Sequence, residues 1–306
     1  MKTIKELIAA AAAAGPMDLA VASAQEASVL EAVADAYAAG IAKPILVGNP
    51  EAIAAAAAGA RDGKGVDISA FEIVPARELY AAAGKAVELV RTGRACALMK
   101  GIIDTAPLLK AVLNKETGIN AGRLASHVAV MEVPTYHKLL IVTDAAINIA
   151  PDLAGFVDII NSAVTVARAL GIQTPKVAVL AAVEKVNPEK MPCTATAALL
   201  TQMNRRGQIK NCIVDGPLAL DNAVSAESAR IKKIESDVAG DADILVVPDI
   251  EAGNILYKCL LDLAGAKGAG IVMGAAKPVV LTSRADTAET KLASIALASL
   301  TGRNAC

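Results

Sequence analysis

Near the start of the chain, apolar residues recur with two different periods. Ile4, Leu7, Ile8 and Ala11 form one helical stripe closed by Gly15-Pro16, and Leu30, Val33, Ala34 and Tyr37 form a second closed by Gly40. Residues 18–22 and 43–47 are short apolar or β-branched runs of strand length. The alternation continues, with strands predicted at 71–74, 95–99, 126–133, 138–143, 176–183, 212–214, 242–247, 270–273 and 279–282. Helices are predicted around Ala83, Ala86, Val87 and Val90, from the 104–107 stretch, and around Phe156, Ile159, Ile160 and Ala163. Further helices follow Pro192, cover 251–264 and start near Asp286. The alanine-rich 51–60 stretch also reads as helix, because alanine costs least to hold in that conformation. Strands alternating with helices in this way imply parallel sheets covered on both faces, and hence an α/β fold.

Composition narrows the picture. A chain of 306 residues predicts two domains, at roughly 100–200 residues each. With hydrophobic residues at 55%, aromatics at 2%, no Trp and only two Phe, the core must be built from Ala, Val, Leu and Ile. The mean hydropathy of +0.48 owes much to alanine. No apolar run reaches the roughly 18 residues that span a bilayer, so no membrane segment is expected. Thirty basic and 31 acidic residues nearly cancel, and aromatic stacking platforms are scarce, which argues against a nucleic-acid partner. Met1-Lys2-Thr3-Ile4-Lys5 ahead of an alanine run looks like a secretion leader, but Glu6 interrupts it. A first helix and a cytoplasmic protein are the expectation. Five dispersed cysteines without a CxxC pair read as free thiols in a reducing compartment. His127 and His137 have no metal-ligand spacing, so no metal site is expected.

Nucleotide motifs are missing. Gly63-Lys64 and Gly84-Lys85 lack the upstream glycine and the hydroxyl residue of a phosphate-binding loop, and the glycines at 265–270 follow a helix rather than a strand. Three strand-to-helix turns carry more information, because in α/β sheets anions collect at helix N-termini beyond the carboxyl ends of strands. The first holds Lys100, Gly101, Asp104, Thr105 and Pro107. Lys100, Gly101 and Thr105 are candidate anion ligands, against the alternative of a solvated lysine and a simple N-cap; Asp104 reads as a cap. The second holds Asp249, Gly253 and Asn254. Glycine early in a helix costs about 0.5–1 kcal/mol against alanine. A ligand approaching the backbone would explain that cost, and tight helix–sheet packing is the alternative. The third turn holds Thr282, Ser283, Arg284 and Asp286. An arginine beside a hydroxyl directly after an apolar strand suits phosphate or a developing oxyanion. The spacing of Asp286 and Glu289 reads as a capping box.

The motif order resembles the phosphate acetyl/butyryltransferase family over essentially the whole chain. The residues that carry the resemblance are Asp215-Gly216-Pro217 through Asp221, the run from Pro248 to Lys258, Lys277-Pro278, Thr282-Ser283-Arg284, and Met99-Lys100-Gly101 with the helix of Leu109 to Lys115. The resemblance implies two three-layer α/β/α domains with mostly parallel sheets, of the isocitrate/isopropylmalate dehydrogenase kind. It assigns 1–135 with 285–306 to one domain and 136–284 to the other, with the site in the cleft between them, in a homodimer. It also implies the reversible reaction of acyl-CoA with phosphate to give acyl phosphate and coenzyme A.

Thr282 to Asp286 and the ending from Lys291 to Ala298 are similar to the butyryl branch. The acetyl branch carries an Asp six residues after the arginine as its proposed base, and Thr290 stands there in this chain. Phosphate attacks the thioester directly in a ternary complex, so neither a metal nor a cofactor is expected beyond the substrates acyl-CoA and phosphate. Arg284 with Ser283 is expected to stabilise the oxyanion, and Asp286 or Glu289 to act on the coenzyme A thiol. Asp249, Gly253 and Asn254 join Lys100, Gly101 and Thr105 as expected substrate ligands. Phosphate acetyltransferase is the first alternative. A non-catalytic acyl-CoA sensor, of the kind attached to malic enzymes, is the second; retention of Ser283-Arg284 argues against it.

Overall fold

The stripe of Ile4, Leu7 and Ala11 is buried along α1 (Ile4–Ala13), the first element of a computed structural model that describes residues 1–283 and 286–302. The chain divides into two units. Lys5–Arg123 with Ala269–Cys306 form one, called here the N-terminal unit; Met1–Ile4 with Leu124–Gly268 form the central unit. The borders expected after 135 and 284 fall later in the chain than these. The reason is strand pairing. A strand at 126–132 pairs within the central unit, and one at 279–280 pairs with a strand at 97–100. Pairing between segments so far apart in sequence leaves no local signal.

The N-terminal unit opens with β1 (Met17–Ala22), α2 (Ala27–Ala38), β2 (Ala42–Gly48) and α3 (Pro50–Gly59). It continues with β3 (Glu72–Pro75), α4 (Leu79–Arg91), β4 (Ala97–Lys100) and α5 (Thr105–Val112). The central unit follows as β5 (Ser126–Glu132), β6 (Leu140–Thr143), α6 (Leu153–Ala169), β7 (Lys176–Leu180), α7 (Pro192–Arg205), β8 (Ile213–Leu218), α8 (Leu220–Val224), α9 (Ala226–Ile231), β9 (Ile244–Val246) and α10 (Ile250–Lys258). The chain returns to the N-terminal unit through β10 (Lys267–Met273), β11 (Val279–Val280) and α11 (Ala288–Gly302).

In the N-terminal unit the strand order is β3-β2-β1-β4-β11-β10, parallel except where β10 runs against β11. One row of helices packs α2 against α3 and α11, and another packs α4 against α5. In the central unit the order is β5-β6-β9-β7-β8, parallel except for β5 and β6. The central strands β1, β4, β6 and β9 are buried almost throughout, as runs of Val, Ile, Leu and Ala covered by helices should be.

Three features differ from the sequence reading. β8 runs on through Gly216-Pro217, because an edge strand tolerates a residue without an N–H. α10 ends at Lys258 and passes into a π-helical turn at Cys259–Leu263, although the apolar pattern continues. Cys193, Cys212 and Cys259 are free thiols, whereas Cys96 is disulfide-bonded, contrary to the expectation of free thiols throughout. Among the described residues no helix is long and apolar enough to cross a membrane.

Candidate functional site

In the N-terminal unit the carboxyl ends of β1, β4 and β11 lie side by side, since Ala22 pairs with Lys100 and Val280 with Met99. Lys100 is not the solvated lysine of the alternative reading. It is 6% exposed, and its Nζ donates to the Gly101 carbonyl at 3.1 Å. Gly101 N–H donates to Ala22 C=O at 2.8 Å and Ile102 N–H to Ser23 C=O at 3.0 Å. A Cβ on Gly101 would lie 2.6 Å from the Ala22 oxygen and closer still to that of Ser23. Glycine is therefore required here by strand-end contact, whatever else binds. Thr105 opens α5, half-buried, behind the extended backbone of Asp104, whose side chain makes no cap hydrogen bond. Pro107 sits in the first turn of α5, where its missing N–H costs nothing.

Beyond β11, Thr282 is buried and Ser283 exposed. Arg284 lies outside the described residues. Ser283 N–H donates to Asp286 Oδ2 at 2.7 Å, and Asp286 N–H returns to Ser283 C=O at 3.1 Å. With its carboxylate engaged there, Asp286 does not form the expected capping box with Glu289. The cap of α11 is made one residue later, where Thr287 Oγ1 accepts from Thr290 N–H at 3.2 Å. Thr290 Oγ1 lies 3.1 Å from Thr287 Oγ1. Lys291, which sequence reasoning passed over, is 1% exposed and donates from Nζ to Asp286 C=O at 2.6 Å.

In the central unit β6 and β9 end together, Thr143 opposite Val246. Asp249 caps α10, its Oδ1 accepting from Ala252 N–H at 2.8 Å. Asn254 donates to Ala145 C=O at 3.2 Å. A Cβ on Gly253 would lie 2.6 Å from Asp144 O, 2.8 Å from Val247 Cγ2 and 3.0 Å from Ala145 Cα. Close packing of α10 on the ends of β6 and β9 is enough to account for this glycine. Asp144, also missed, is 3% exposed. Its carboxylate accepts from the N–H groups of Ala146, Ile147 and Asn148 and from the Asn148 side chain, which fixes the loop against which α10 packs.

No group of three or more His, Cys, Asp or Glu among the described residues is arranged to hold a metal ion. His127 is buried with its ring edge-on to Tyr257, and His137 pairs with Asp241. Burial, with the Asp249 carboxylate adding to it, pushes the Cys193 thiol above its usual range, and burial alone pushes Cys212 up to about 11. Both shifts disfavour the thiolate that nucleophilic catalysis needs.

The pattern of the phosphate acetyl/butaryl transferase family matches residues 76–299, a span that includes all three turns. This chain belongs to that family. It is 49% identical over 304 residues to phosphate butyryltransferase of Clostridium acetobutylicum, covering 99% of each chain. It is 48% identical to phosphate acetyltransferase of Thermotoga maritima, covering 92% of this chain and 94% of that one. The structure of a branched-chain phosphotransacylase from Enterococcus faecalis V583 superposes with a TM-score of 0.80 at 35% identity, over 94% of this chain and 99% of that one. A family member of this kind is an acyltransferase of α/β fold, as the sequence led us to expect.

Proposed function

We propose that this enzyme transfers a short acyl group between coenzyme A and inorganic phosphate, with butyryl-CoA or a similar acyl-CoA as substrate. The observation that carries the proposal is end-to-end similarity to a phosphate butyryltransferase, with Ser283-Arg284 retained after β11. A phosphate oxygen attacks the thioester carbonyl carbon. The C–S bond breaks as the tetrahedral intermediate collapses, and coenzyme A leaves as thiolate. Two negative charges converge at the tetrahedral stage, so a fixed guanidinium at Arg284 and a hydroxyl at Ser283 lower the barrier by favouring that stage over the neutral carbonyl.

In the reverse direction the thiol, with an ordinary pKa near 8.5, must lose its proton. Asp286 is our candidate base: Oδ2 is held by Ser283 N–H, while Oδ1 makes no hydrogen bond among the described residues. Lys100 and Thr105 supply donors at the carboxyl edge of the N-terminal sheet. Asp249, Gly253 and Asn254 stand at the corresponding edge of the central unit as further substrate ligands.

Thr290, standing where the acetyl branch carries its Asp, favours the butyryl reading, while the similarity to a phosphate acetyltransferase keeps acetyl-CoA as the second reading. The proposal extends to a cytoplasmic homodimer that uses no metal or further cofactor. The test is turnover of butyryl-, isobutyryl- and acetyl-CoA with phosphate, following thiol release and trapping acyl phosphate as hydroxamate. Absence of acyl phosphate from all three would refute the proposal, and a preference for acetyl-CoA would refute its butyryl part.

A further inference from the structure

Lys291 is the fourth residue of α11, a helix whose buried residues include Ala293, Ile295, Ala296, Leu297 and Ala298. At 1% exposure its amine has lost the water that a surface lysine keeps. Among the described residues its side chain makes one hydrogen bond, to Asp286 C=O at 2.6 Å, and no ion pair. Helical side chains lean toward the N-terminus, which lets Nζ reach back past the first turn.

That single bond ends a short chain of contacts. Asp286 holds Ser283 twice, through Oδ2 to the Ser283 N–H at 2.7 Å and through its own N–H to the Ser283 carbonyl at 3.1 Å. The turn carrying Ser283 is thus tied to Asp286, and Asp286 is tied to Lys291. Methionine would fill much of the same space without burying an amine, whose removal from water is costly when no charge pairs with it. Stability therefore gives no reason for a lysine here, whereas the position of the turn does.

We propose that Lys291 is a positioning residue for acyl transfer: through the Asp286 carbonyl it holds Asp286, and with it Ser283, in the working geometry. This rests on the reading of the 283–284 pair as part of the reacting site. The test compares Lys291→Met and Lys291→Arg with the wild-type enzyme, using butyryl-CoA and phosphate for kinetics and thermal unfolding for stability. Lys291→Met is expected to melt at or above the wild-type temperature. Its kcat should fall about tenfold to a hundredfold, the scale on which misplacement by about an ångström acts. The KM for butyryl-CoA should stay near the wild-type value, and Lys291→Arg should recover most of the loss, since it too is a long donor.

A Lys291→Met enzyme with wild-type kcat would overturn the proposal. So would one that fails to fold, or that melts lower and loses activity in step without rescue by arginine, because the lysine would then be structural. If the wild-type protein itself makes no acyl phosphate, the acyltransferase reading falls and takes this proposal with it. Normal turnover by both enzymes sinks only the role of Lys291.

Discussion

Gly253→Ala should destabilise this protein, although alanine is the better helix former. In the middle of a helix the exchange alone contributes about 0.5–1 kcal/mol of stability. Against that, the new Cβ meets two backbone positions and one side chain at 2.6–3.0 Å. The Asp144 carbonyl has little freedom to retreat, because the same residue's carboxylate accepts from three backbone N–H groups and the Asn148 amide. Overpacking against atoms that cannot relax costs about 1–3 kcal/mol, and the upper end applies here. The net loss is about 2 kcal/mol, or a fall in Tm of about 4–8 °C for a unit of this size. Gly84→Ala is the control: Gly84 lies inside α4 with nothing within 4 Å of an added Cβ, so that variant should gain about 0.5–1 kcal/mol. Thermal and urea unfolding of both variants, with steady-state kinetics, is the assay. The packing argument fails if Gly253→Ala melts at or above the wild-type temperature. If it keeps its Tm but loses activity, the glycine serves a ligand instead.

Other expectations can be checked alongside. Arg284→Ala should lower kcat by about 10²–10³ with little change in the KM for butyryl-CoA, and Arg284→Lys should regain only part; a near-wild-type Arg284→Ala enzyme would remove the residue from the site. Activity should survive exhaustive EDTA treatment; loss reversed by one divalent metal would contradict a metal-free transfer. In the central unit burial opposes the charge of Asp241, but Lys176 and Lys138 outweigh it, with His137 adding to them, and hold the carboxyl well below its usual range. A depressed folded-state value means stability that is present above the unfolded value near 4 and lost as pH falls below it. Asp241→Asn should therefore unfold more easily at pH 7, with the gap to wild type constant down to about pH 4 and narrowing only below it, as urea midpoints from pH 7 to pH 2 would reveal. A gap independent of pH would contradict this.

The alternation of strands and helices was legible because each element carries its own period, and Pro107 and Gly40 act as local punctuation. What was illegible was everything set by contact at a distance. The approach of the Asp144 carbonyl to Gly253, 2.6 Å from an added Cβ, has no trace in the sequence. Asp144 reads as one more polar residue after a strand until its four donors are seen around one buried carboxylate. Lys291 follows Glu289 and Thr290 and reads as surface, yet it is among the largest fully buried side chains. The unit borders depend on β11 finding β4, which no local pattern records.

Thr290 gives the third turn its meaning. In the acetyl branch an acidic group at this place is the proposed base, and a hydroxyl cannot take that proton near neutral pH. The structure gives Thr290 other work: its N–H and Oγ1 both meet Thr287 Oγ1, closing the first turn of α11. Just before this turn stands Asp286, joined to Ser283 and backed by Lys291. If the butyryl branch needs a base on this loop, the charge has moved from the helix to the turn before it, and a buried lysine now holds the carbonyl of the residue that carries it. On this argument Asp286 and Lys291 are one device. The losses from Asp286→Ala and Lys291→Met should then combine to little more than the larger of them, whereas independent sites would multiply.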